Sequence, residues 1–132
     1  MRSSRRVIAV LVIAIATGVA SPASATQRRT CTTIRDVGRD CIVITTAGKN
    51  AYRVRVELLY KAPRDIGLPT LVKRSVWAAN VACKARPVHI DSLHFYGADG
   101  GEVAAPADTQ GNLVQGLETT VLPNIVTSLC GR

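Results

Sequence analysis

The clearest pattern in this chain lies in residues 51–60, where apolar and polar positions alternate. Tyr52, Val54, Val56, Leu58 and Tyr60 fall on one side, and Arg53, Arg55 and Glu57 on the other. Successive side chains of a strand point to opposite faces, so the segment predicts a strand buried on one face only. A sheet with one solvated face is characteristically antiparallel. Residues 41–46 are β-branched and predict the preceding strand, with a turn at Ala47-Gly48-Lys49-Asn50. Residues 62–69 predict a loop. Residues 71–83 predict the next strand, with Trp77, Ala79, Val81 and Cys83 on a common side and Lys73 and Arg74 at its exposed start. A turn at residues 84–87 leads into a strand over 88–96. Its parity slips between Ile90 and Leu93, which implies a bulge or burial on both faces. Gly97-Ala98-Asp99-Gly100-Gly101 is a hairpin turn, because Asp-Gly tolerates the positive φ that such turns demand. Residues 102–105 return as a strand, and Pro106, with no N–H for a ladder, ends it.

The two flanks read differently. Residues 26–30 form a polar lead-in, and residues 106–116, rich in glycine and polar side chains, read as irregular. From residue 121 to 130 the period changes. Leu122, Ile125, Val126 and Leu129 recur at helical spacing, Pro123 suits a first turn, and Gly131 suits a stop. A helix this short is not stable alone in water and must pack on the sheet. The fold class is therefore α+β: a single antiparallel β-sheet of about five to six strands with a C-terminal helix packed on it.

Export decides how the remainder is read. Arg2, Arg5 and Arg6 precede an uncharged apolar run over residues 7–20, and Ala23-Ser24-Ala25 provides a small-x-small cleavage site. The run falls short of the ~18–20 residues that cross a bilayer. Residues 1–25 are expected to be a signal peptide cleaved between Ala25 and Thr26. The residues that usually follow a twin arginine are missing after Arg5-Arg6, which favours export in the unfolded state. No cysteine stands at the cleavage point, so no lipid anchor is expected. The mature domain, residues 26–132, belongs by this reading in the periplasm or at the cell surface or outside it, with no stable membrane insertion.

Cys31, Cys41, Cys83 and Cys130 remain after cleavage, and an even count in an exported chain reads as a disulfide framework. Spacing alone leaves all three connectivities open. No pair has metal-ligand spacing, and no cofactor motif is present. Of 17 basic residues, three lie in the signal, leaving 14 against 9 acidic ones and a mature charge of about +5. Export disfavours nucleic acid as the partner. Lipopolysaccharide, acidic glycans and acidic proteins remain, with solubility alone as the plainer account of the charge. Arg53 and Arg55 form the best candidate basic row, on the outward side of their strand.

Catalytic constellations fail on geometry. His89 and Asp91 share strand parity, but Ser92 points to the opposite face, and no Gly-x-Ser-x-Gly elbow exists. His89 and His94 differ in parity and make a poor metal pair. Asp36 and Asp40 flank Gly38 and read as turn residues, Asp99 belongs to its turn, and Trp77 reads as core. No enzyme activity and no cofactor are expected.

The second half has a familiar order: Val81-Ala82-Cys83-Lys84-Ala85-Arg86, then His89-Ile90-Asp91-Ser92-Leu93-His94-Phe95-Tyr96, then Ala98-Asp99-Gly100-Gly101-Glu102-Val103. With Leu122-Pro123-Asn124 and the closing Leu129-Cys130, it resembles the surface-adhesin protein E-like family. Residues 52–63, a long strand followed by Pro63, are similar too. Cys31 and Cys41 lie outside the family's pattern, Gly97 stands where an acidic residue is common, and Asn124 where glycine is. The resemblance implies a C-terminal helix tethered across the sheet by a disulfide, here Cys83 with Cys130, which leaves Cys31 for Cys41, stapling an N-terminal hairpin. The longer loop would contribute about 3–4 kcal/mol through the unfolded chain's entropy. It also implies a non-enzymatic envelope protein that binds macromolecules in an adhesion-type role. The alternative is a periplasmic inhibitor or envelope-stress binder of the lysozyme-inhibitor type, inserting a loop such as residues 106–116.

Overall fold

The computed structural model describes residues 26–131. The expected signal segment, with Ala25 on one side of its cleavage point, lies outside the described residues. Six strands run in chain order through one antiparallel sheet: β1 (Gln27–Ile34), β2 (Gly38–Gly48), β3 (Ala51–Arg64), β4 (Val72–Ala82), β5 (Ser92–Tyr96) and β6 (Glu102–Val103). Two helices follow, α1 (Ala107–Thr120) and α2 (Leu122–Cys130).

The alternation in β3 sets the layers. Val54, Val56 and Tyr60 are buried and meet Trp77, Ala79 and Val81 of β4, Leu93 and Phe95 of β5, and Leu122 and Val126 of α2. Ile42 and Ile44 of β2, directly opposite Val56 and Val54, extend this face. The core is thus one side of the sheet closed by α2. Leu122 is 1% exposed and Val126 7%. Removing such side chains from water is the main stabilising term, at about 1.5–3 kcal/mol each.

Cys83, just after β4, is bonded to Cys130 at the end of α2, with the Cα atoms 5.5 Å apart. The helix therefore cannot leave the sheet without stretching a covalent link. Arg86 reinforces the same corner, donating from Nη2 to the Gly131 carbonyl at 3.0 Å. Gly131 terminates α2 with φ of 76°, in the left-handed region that favours glycine.

Four expectations are corrected. Residues 27–30, expected within the lead-in, open the edge strand β1, which runs to Ile34. It carries no apolar alternation and is exposed almost throughout, so periodicity could not reveal it. Main-chain pairing to β2 and the Cys31–Cys41 disulfide, with Cα atoms 4.0 Å apart, hold it in register. The strand expected over 88–96 begins only at Ser92. Before it, the Asp91 carboxylate accepts from the Asn80 N–H at 2.8 Å, taking the place of a strand carbonyl, while Asp91 N donates to the Ala78 carbonyl. That substitution underlies the parity slip.

Residues 62–64 continue β3 rather than opening the loop, past a register irregularity between Leu59 and Arg64 that accommodates Pro63. Residues 107–116 are helical, not irregular. Pro106 precedes α1, where its missing N–H is not needed, and its carbonyl accepts from Gln110 N at 2.8 Å. The two helices nearly join. Pro123 lacks the N–H for the Thr119 carbonyl, so the rod breaks at Val121. None of the described helices is long and apolar enough to cross a membrane.

Candidate functional site

Because the helices cover one side of the sheet, the other side is bare, and strand pairing dictates what it presents. Residues directly opposite one another share a face. Arg29 stands opposite Val43, and Val43 opposite Arg55. Arg39 stands opposite Leu59, and Leu59 opposite Arg74. Arg53 lies between Thr45 and Asn80. All belong to the side opposite Val54, Val56 and Trp77. Five arginines thus project from four neighbouring strands onto one surface.

Two carboxylates of the strands share that surface, and both have partners. Glu57 accepts from Arg74 Nη1 at 2.9 Å, and the Arg74 guanidinium also lies 4.1 Å from the Tyr96 ring centre. Half-buried and flanked on both sides, Arg74 is held in place. Glu102 pairs with His94 Nδ1 at 2.7 Å. Arg53 donates to the Asn80 side chain at 2.9 Å, which fixes its direction without cancelling its charge. Arg29 reaches toward Cys41 Sγ at 3.7 Å, beside the disulfide. Arg29, Arg39, Arg53 and Arg55 form no ion pair among the described residues, and all four are exposed.

The expected row of Arg53 and Arg55 is therefore part of a wider basic surface. Sequence alone did not single out Arg29 or Arg39, and it marked Arg74 only as the exposed start of its strand. Arg29 and Arg39 depend on β1 and on the early start of β2. The signal that places Arg29 is the Cys31–Cys41 pairing, which fixes the register of β1 against β2. An oxidised chain suits the exported compartment inferred from the leader.

Other singled-out residues have structural roles. His89 pairs with Glu118 of α1 at 3.4 Å, and the same carboxylate accepts from Ile90 N at 2.8 Å. Asp91 is occupied by the β4 backbone, so the His89, Asp91 and Ser92 set is not assembled. Trp77 is 4% exposed and belongs to the core. Asp99 accepts from Gly101 N within its turn, and Asp36 occupies the β1–β2 turn with φ of 62°. Asp40, expected beside it in the turn, lies instead within β2 on the helix-covered side. Thr26 is exposed, and its carbonyl accepts from Thr46 N at 2.8 Å. No cluster of three or more metal-ligating side chains occurs among the described residues.

No family model, no curated protein and no solved structure matches this chain.

Proposed function

We propose that this is an exported, non-enzymatic envelope domain that binds polyanionic macromolecules, such as lipopolysaccharide or acidic glycans, through the uncovered face of its sheet. The observation that carries the reading is the set of Arg29, Arg39, Arg53 and Arg55, presented together without counter-charges on a surface no helix covers. Fixed charges on a rigid sheet attract an anionic polymer without a pocket, and the attraction is screened within about 8–10 Å at physiological salt. The resemblance read in residues 51–130, outside 106–116, would imply an adhesion-type role. The inhibitor alternative shares the size, export and cysteines, but residues 106–116, offered as an inserting loop, lie largely within α1.

Heparin and lipopolysaccharide serve as probes. The mature protein should be retained at low salt and released toward physiological salt. Arg53→Ser/Arg55→Ser should elute earlier, and adding Arg29→Ser should advance it again, with melting temperatures unchanged. Equal retention of parent and triple variant would show that these arginines are only a solvated face.

A further inference from the structure

The other side of the sheet carries a feature that the basic face does not explain. Helix α1 spans the sheet without sealing it, and none of its 14 residues is buried. It is pinned near both ends by polar contacts. Gln110 donates from Nε2 to the Leu93 carbonyl at 3.0 Å, and Glu118 accepts from Ile90 N at 2.8 Å. Between these pins the helix roofs a cavity of about 280 Å³. Leu113 and Leu117 form the roof, and Leu58, Trp77 and Phe95 form the floor and walls. The volume sits just below the range of about 300–1,000 Å³ usual for small-molecule sites, which suits a compact ring or short chain.

One group in this apolar setting is out of character. Asp40 lines the cavity, and its buried Oδ1 accepts no hydrogen bond from any described protein group. No described lysine, arginine or histidine pairs with it, and the other ionisable side chain lining the cavity is the Tyr60 phenol. Burial pushes the Asp40 carboxyl above its ordinary range. Buried polar atoms are almost always satisfied, so the orphaned Oδ1 marks a carboxylate to which the protein supplies no partner on that side.

We infer that the cleft between β2–β5 and α1 is a binding site for a small apolar molecule ending in a cationic amine, whose ammonium pairs with Asp40 while its apolar body lies against Trp77 and Phe95 beneath Leu113 and Leu117. The apolar walls supply the area term, and the carboxylate selects for positive charge. A charge-assisted hydrogen bond there is stronger than a neutral one, because one partner carries a full charge. The site lies on the face opposite the basic arginines, so the two bindings do not compete.

Trp77 makes the site observable, because it is the protein's only tryptophan and lines the cavity. The mature protein is titrated with 2-phenylethylamine, and with 2-phenylethanol as the uncharged match, while Trp77 fluorescence is followed. The amine should give a saturable change, with the alcohol binding about tenfold more weakly. Asp40→Asn, which keeps the side chain's shape, should lower amine affinity about tenfold and bring it level with the alcohol. Leu113→Phe, which fills the roof, should abolish the response to both. The proposal is overturned if the amine produces no saturable change in the folded parent, or if Asp40→Asn, folded by circular dichroism, binds the amine as tightly as the parent.

Discussion

Cys31 faces Cys41 directly across β1 and β2, with their Cα atoms 4.0 Å apart. The bond therefore locks a strand that has almost no buried side chain of its own, and with it the position of Arg29.

Breaking this bond should act locally. Cys31→Ser/Cys41→Ser is expected to keep the core but to lose amide-exchange protection in β1, because an exposed edge strand then depends on main-chain pairing alone. Cys83→Ser/Cys130→Ser should cost more. It closes 47 residues against 10, about 4 against 3 kcal/mol by the chain-entropy account. Urea unfolding of the two double variants checks the order.

Asp40→Asn should stabilise the protein at neutral pH by up to about 1 kcal/mol, because the amide keeps the side chain's shape but removes the cost of part-burying an unpaired charge. Burial raises the folded carboxyl's pKa above its unfolded value. The folded state therefore holds its proton more tightly between the two values, and stability falls as pH rises through the folded pKa. The advantage of the variant should be largest at neutral pH and shrink on acidification below that pKa. Thermal melts of both proteins across this range test the sign.

Gly38 opens β2 directly opposite Tyr60 of β3. A Cβ at this position would collide with the Leu59 carbonyl oxygen and lie 2.8 Å from the Tyr60 Cα. Both obstacles are backbone and cannot swing aside. Gly38→Ala should cost about 3 kcal/mol, seen as a lower urea midpoint, with Tyr60 and the end of the β2–β3 ladder most affected in amide exchange.

Glu57→Gln probes the basic face from the opposite direction. Glu57 neutralises Arg74 at 2.9 Å, so removing its charge adds a free cation to the surface. Heparin affinity at low salt should rise about two- to fivefold, the equivalent of one exposed charge pair. Stability should drop by no more than about 1 kcal/mol, since the pair is only half-buried. Affinity that stays level or falls would show that anion binding does not involve this side of the sheet.

Local chemistry alone specified much of this protein. Alternation along residues 51–60, the Asp99-Gly100 turn and the spacing of Leu122, Ile125, Val126 and Leu129 each reflect periods that neighbouring residues impose on one another, so the sheet and α2 were legible. The outward parity of Arg53 and Arg55 was legible for the same reason. What tertiary structure decided lies where no apolar period exists. β1 is a strand because β2 and a disulfide hold it, although its own side chains face water. Residues 107–120 are a helix despite Gly111 and Gly116, because Leu113, Val114 and Leu117 gain partial cover against the sheet while Gln110 and Glu118 find backbone partners on it. The gathering of Arg29, Arg39 and Arg74 with Arg53 and Arg55, and the placing of Asp40 under α1, follow from strand register. Register is a relation between segments distant in the chain, and only the assembled sheet determines it.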